Sequence, residues 1–183
     1  MQRVLVLVVA ISVGFSVINA QEKMDARASA GKMFLDEFKW QEDGTGKKLI
    51  RLAEAMPAEK YSWRPSDGVR SVSEVFVHVA SANYFFLSFV GEKFPEGFDR
   101  EAEKNITEKS EVVELLKASF AFVREAAGKV KESSLGNEAK LPFRTTTVEG
   151  LYFMLANHTH EHLGQAIAYA RMNGVTPPWS EKQ

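Results

Sequence analysis

Between Ser71 and Val90 the residues Val75, His78, Ala82, Phe85 and Phe89 recur at intervals of three, four, three and four. Side chains so spaced line one face of an α-helix, whereas a strand would throw them onto alternate faces. Three other stretches carry the same kind of rhythm. One runs from about Arg27 to Ala55, with Phe34, Phe38, Leu49, Leu52 and Ala53 inward. Another runs from about Thr107 to Lys131, with Val112, Leu115, Leu116, Phe120 and Val123 inward, and the last ends near Met172. Helix-stopping residues separate them: Pro57, Pro65 and Gly68; Gly91, Pro95 and Gly97; Gly136 and Pro142; and Asn173-Gly174 before Pro177-Pro178. No stretch alternates as a strand does. Ser71 with Glu74, and Thr146 with Glu149, have the spacing of capping boxes and mark two helix starts. Gly44-Thr45-Gly46 lies inside the first run and is expected to kink it. Four helices of roughly 20 to 30 residues with short or medium connections predict an all-α four-helix bundle, in which sites are built from inward side chains on facing helices.

Residues 1–20 stand apart from that fold. Arg3 precedes an almost unbroken apolar run from Val4 to Val17, and Ile18-Asn19-Ala20 ends on a small residue. This is the pattern of a signal peptide cleaved before Gln21. The run is short for a full span of about 20 residues, so no stable membrane span is expected after cleavage. The chain is therefore read as a signal peptide, 1–20, and one bundle domain, 21–183, exported to the periplasm or outside the cell. It contains no cysteine. The core must stand without disulfides, and a transition-metal site must use His, Asp, Glu and water. A net charge of -1 with no basic patch excludes nucleic acid as an expected partner. The expected partner is a small-molecule substrate or ligand, with a homodimer left open.

Three of the four histidines lie in His158-Thr159-His160-Glu161-His162. With His158 at zero on a helical wheel of about 100° per residue, His162 falls near 40°, Glu161 near 300°, Gln165 near 340° and His160 near 200°. The inward stripe thus carries His158, Glu161, His162 and Gln165, while His160 faces away. His78 lies on the apolar face of another helix. Two imidazoles one turn apart and a third from a facing helix make a three-ligand metal site with an open position. A core histidine satisfied by one hydrogen bond is the ordinary reading for any of them singly, but three require partners for all their ring nitrogens. His158-x-x-Glu161-His162 also matches the pattern of inverted zinc peptidases, in which the glutamate activates water. That family needs a further acidic ligand downstream, and only Glu181 follows the helix.

Two blocks of sequence resemble the DinB-like family, which includes the bacillithiol transferases and the mycothiol-dependent maleylpyruvate isomerases. The first is Tyr61-Ser62-Trp63-Arg64-Pro65 followed by Val69 to Ala80; the second runs from His158 to Arg171, then Gly174 and Pro177-Pro178. With the helix order, the resemblance covers nearly all of the chain after residue 20. It implies an up-down-down-up bundle and a divalent metal ion, zinc or nickel, held by His78, His158 and His162. Glu161 is the candidate catalytic residue, as a proton acceptor or by fixing a histidine through a hydrogen bond, and Gln165 is expected to orient water or substrate. Two functions fit: a metal-dependent hydrolase or transferase on a small molecule, or a non-catalytic metal- or ligand-binding bundle. Thiol transfer is not expected of an exported member, because low-molecular-weight thiols are scarce outside the cytosol. N-terminal sequencing of protein recovered from the cell envelope or medium should begin at Gln21; an intact Met1 on soluble cytoplasmic protein would refute export.

Overall fold

Four long helices form the body of the chain: α1 (Gln2–Ala55), α2 (Val72–Ser88), α4 (Lys109–Lys129) and α5 (Val148–Met172). The computed structural model describes the backbone of residues 2–99 and 101–180 and the side chains of 21–99 and 101–180. The expected leader, residues 1–20, lies outside the residues whose side chains are described. Among the described residues no helix is long and apolar enough to cross a membrane.

Ser71 caps α2 as its spacing predicts. Its hydroxyl accepts from the Glu74 backbone N–H, and the Glu74 carboxylate accepts from the Ser71 backbone N–H at 2.6 Å. Such a cap contributes on the order of 1 kcal/mol and fixes where the helix begins. The start of α5 lies one residue later than the spacing suggests. Thr147, not Thr146, is the N-cap, its hydroxyl accepting from the Gly150 N–H. The reason is a β-hairpin that the sequence did not disclose. β1 (Glu138–Leu141) pairs antiparallel with β2 (Arg144–Thr147), so Thr146 is held opposite Ala139. Two strands of four residues are too short for periodicity to register.

α1 is unbroken through Gly44-Thr45-Gly46, against the expected kink. Gly46 is there for close approach. A Cβ built on it would stand 2.7 Å from the Phe120 ring of α4, whereas one on Gly44 would meet nothing within 4 Å. The ring therefore lies on bare backbone, and α1 and α4 close to a distance that a methyl would prevent.

α1 packs on α4 and α5, and α2 packs on the same two. Along α1 and α5, Phe38 meets Tyr152, Glu42 meets Thr159 and Thr45 meets His160. Between α2 and α4, Asn83 meets Ser119 and Tyr84 meets Phe122. One part of the core gathers Leu49, Leu52, Phe76, Leu116 and Phe120; the other gathers Phe38, Phe86, Leu87, Leu151 and Tyr152. Each fully buried side chain of this size contributes roughly 1.5–3 kcal/mol.

α2 differs from the expected single-faced helix. With neighbours on two sides it is buried almost all round, and the line of His78, Ser81 and Phe85 is its least covered strip. The connection from α2 to α4 carries a short helix, α3 (Ala102–Asn105), which packs on α2.

The glycine pair tests this packing. Gly46→Ala should destabilise the protein by roughly 1–3 kcal/mol in denaturant titration, because the buried Phe120 ring must move. Gly44→Ala, free of contacts, should stabilise it by up to about 1 kcal/mol through helix propensity.

Candidate metal centre

The uncovered strip of α2 faces the edge of α5, and there His78, His158 and His162 converge. One nitrogen from each lies within 4.8 Å of the others. The Nε2 atoms of His78 and His158 are 3.1 Å apart. Ring centroids are separated by 5.0 Å (His78–His158), 4.7 Å (His78–His162) and 4.5 Å (His158–His162).

The outward nitrogens are tethered. Nδ1 of His78 lies 2.7 Å from Oε1 of Glu103, on α3, and Nδ1 of His162 lies 2.7 Å from Oε1 of Gln165. Both acceptors favour a proton on Nδ1, which turns a lone pair on Nε2 inward. The tethers continue. Gln165 donates to the Tyr169 hydroxyl at 3.1 Å, and that hydroxyl donates to the Arg70 backbone carbonyl at 3.1 Å. The Arg70 side chain donates to Oε2 of Glu103 at 2.9 Å. A continuous chain of hydrogen bonds thus runs from His162 through Gln165, Tyr169, Arg70 and Glu103 to His78.

Burial favours the neutral form of His158 and His78. It pushes His158 down to about 3, helped by repulsion from His162 and His78. It also pushes His78 down, against the opposing pull of Glu103. Burial raises Glu103, but the hydrogen bonds from Arg70 and His78 outweigh it and hold the carboxyl below the usual range. A carboxylate behind a neutral histidine is the arrangement that orients metal-ligating imidazoles.

The donor set fits a divalent ion. Ligand nitrogens at about 2.0–2.1 Å in a tetrahedron stand about 3.3 Å from each other, close to the observed His78–His158 separation of 3.1 Å. All three donors are imidazole nitrogens, a ligand type that suits zinc and nickel.

Glu161 is exposed, and the carboxylate that reaches a histidine is Glu103 instead. The wheel was centred on the wrong residue. Leu155, Thr159, Leu163 and Ala166 are buried, so the buried sector centres about a quarter turn from His158. His158 and His162 sit at its edge, and Glu161 falls outside it. His160 stays out of the cluster; its ring bridges Thr45 on α1 and the Ala156 carbonyl. Gln165 is half-buried; it holds His162 and also lines the cleft beside Arg70 and Glu103. Glu103, Arg70 and Tyr169 were missed. Glu103 lies in a stretch whose Gly and Pro read as loop.

A second polar group is buried between α1 and α5. Glu42 accepts from the Thr159 hydroxyl at 2.7 Å, while its Oε2 has no hydrogen-bond partner among the described residues. Burial raises this carboxyl to about 7, with Thr159 pulling the other way.

Fold and site together define a helical bundle with a three-histidine cluster between two facing helices. A family model of the DinB superfamily matches residues 42–166, which include all three histidines, and the chain belongs to that superfamily. Solved structures agree on the fold. A DinB-like protein from Bacillus cereus superposes with a TM-score of 0.66 at 21% identity, covering 79% of this chain and 93% of that one. YfiT from Bacillus subtilis, named a probable metal-dependent hydrolase with an unusual four-helix bundle topology, gives 0.62 at 17%, covering 78% and 89%. A mycothiol-dependent maleylpyruvate isomerase gives 0.57 at 15%, covering 71% and 59%. No curated protein matches the chain by sequence.

Glu42 sets a pH dependence of stability. Its folded value, about 7, lies above the ordinary 4.5. Its contribution is therefore complete below 4.5 and is lost as pH rises through 7. Glu42→Gln should raise stability at pH 8 by roughly 2 kcal/mol and leave it little changed at pH 4, read by denaturant titration at the two pH values.

Proposed function

We propose that the chain is a metal-dependent hydrolase or transferase of a small molecule, with one divalent ion, zinc or nickel, held by His78, His158 and His162. The observation that carries this reading is the convergence of three imidazoles beside a cavity that His78 and His158 help to line. A cavity there leaves one side of the site for a substrate. A divalent ion so held supplies Lewis-acid polarisation of a substrate oxygen or small nucleophile. The protein's own residues do the rest. Glu103 and Gln165 hold the Nδ1 protons of His78 and His162, so both rings keep one tautomer and one orientation. Burial excludes competing protons from His158. Glu161, at the exposed edge of α5, has no contact with the cluster that would make it the proton acceptor, and we keep it outside the mechanism.

The wider reading includes export after cleavage before Gln21 and an up-down-down-up order of the four helices. Supporting that order are the residues that meet. Numbers rise together along α1 and α5, from Phe38 with Tyr152 to Thr45 with His160. They rise together along α2 and α4, from Asn83 with Ser119 to Tyr84 with Phe122. They run oppositely along α1 and α4, where Asp43 meets Arg124 and Glu54 meets Lys117.

One observation favours a second reading, a bundle that binds metal or ligand without turnover. Glu103 is the carboxylate at the cluster, and both its oxygens are engaged, by His78 and Arg70. A general base must be able to take a proton from substrate or water.

Alanine at His78, His158 or His162 should abolish stoichiometric zinc or nickel uptake, measured by elemental analysis of the purified protein. His160→Ala should keep it. Glu103→Ala should keep the metal but weaken its affinity by roughly 10- to 100-fold, through loss of the His78 tether. Retention of metal in the His162 variant with loss in the His160 variant would overturn the ligand assignment.

A further inference from the structure

We propose that the cavity beside His78 and His158 is the specificity pocket of the site, seating an aryl or branched-alkyl group of a small substrate whose neighbouring polar atom faces the histidines. This rests on reading the cluster as a divalent-metal site. The cavity has a volume of about 330 Å³, and its walls include Ala82, Phe85 and Phe86 of α2 and Phe94 and Phe98 of the connection to α3. That size lies at the low end of the roughly 300–1,000 Å³ of small-molecule pockets. A space of about 150 Å³ already admits a benzene ring, so this one has room for a ring or a branched alkyl group together with its substituents.

The chemistry of the walls selects the occupant. Glu103 is the charged group on the cavity's lining, and Oε1 and Oε2 are taken by His78 and Arg70. Among the described residues no Lys or Arg lines the space, so a charged group seated among the phenylalanines would lose its water without a counter-charge from those side chains. The aromatic wall reaches the site itself. Phe94 and Phe98 rings are 5.6 Å apart, and Phe86 lies 5.6 Å from the ring of His158 in an edge-on arrangement. Phe85 retains 36% of its surface exposed, although it stands on a helix buried almost all round. The strip of α2 that the fold leaves uncovered thus runs from His78 through Ser81 to this exposed ring. The connection is bent to match. Gly91 and Gly97, with φ of 98° and 73°, take the left-handed conformation on either side of Phe94. Beyond Glu103 the surface changes character. Arg64, Arg70 and Lys104 line a separate cleft, each paired with an acid, Glu74, Glu103 and Glu101. The apolar side of the substrate is therefore fixed to the phenylalanine side.

The test uses zinc-loaded protein and two hydroxamates, which share one metal-binding group and differ in their tail. Calorimetry should find phenylacetohydroxamate bound at least about tenfold more tightly than acetohydroxamate, as burial of a phenyl ring requires. Ser81→Leu, which fills the cavity, and Phe98→Ala, which removes a wall, should each bring the ratio towards one. Equal affinities in the parent protein would overturn the pocket while leaving the metal reading in place. A preference that survives in both variants would also overturn it, since the ring would then be seated elsewhere. Failure of the protein to take up zinc, read separately by elemental analysis, would overturn the metal reading and the pocket with it.

Discussion

Arg70 holds the two halves of the site to one another. Its backbone carbonyl accepts from Tyr169 of α5, and its guanidinium donates to Glu103 of α3. The residue after it is the N-cap of α2. One residue therefore ties the start of the helix that bears His78 to the helix that bears His158 and His162, and to the carboxylate that turns the His78 ring. The individual bonds are ordinary, each about 1 kcal/mol net. Their linkage in a single chain is what makes the ring orientations depend on one another.

The same arrangement resolves a conflict between burial and polarity. Three imidazoles in an apolar setting cost free energy unless their nitrogens are satisfied. Here the outward nitrogens of His78 and His162 are spent on Glu103 and Gln165. The inward side is polar, and the space next to it is lined by phenylalanine. Imidazole donors beside an apolar chamber raise the effective strength of any charge placed among them, because the apolar wall screens it less than water would.

Much of this was legible in the sequence where a rule of spacing applied. The four long helices, the Ser71 cap and the inward placement of His78, His158 and His162 all follow from periods of three and four. What escaped had no period. The hairpin strands are four residues each, and α3, which delivers Glu103, is a single turn within a stretch rich in Gly and Pro. Gly46 reads as a weak point in a helix until the Phe120 ring is placed on it. Glu161 was misjudged for another reason. A wheel gives the angle between residues but not the direction of the neighbours, and α5 is turned towards Thr159 by its contacts with α1.

The caps of α2 and α5 carry a consequence for chain length. Ser71 precedes His78 by seven residues, and Thr147 precedes His158 by eleven. At about 3.6 residues per turn these intervals are close to two and three whole turns. Each helix is thus keyed at its first turn, and the rotational phase set there is handed along to the ligand. One residue inserted between cap and histidine would swing the imidazole through about 100°, out of the cluster altogether. Insertions in the connection between α2 and α4 change no such phase for either helix. The two intervals are the rulers of this bundle, and an added residue outside them leaves the phase of every ligand unchanged.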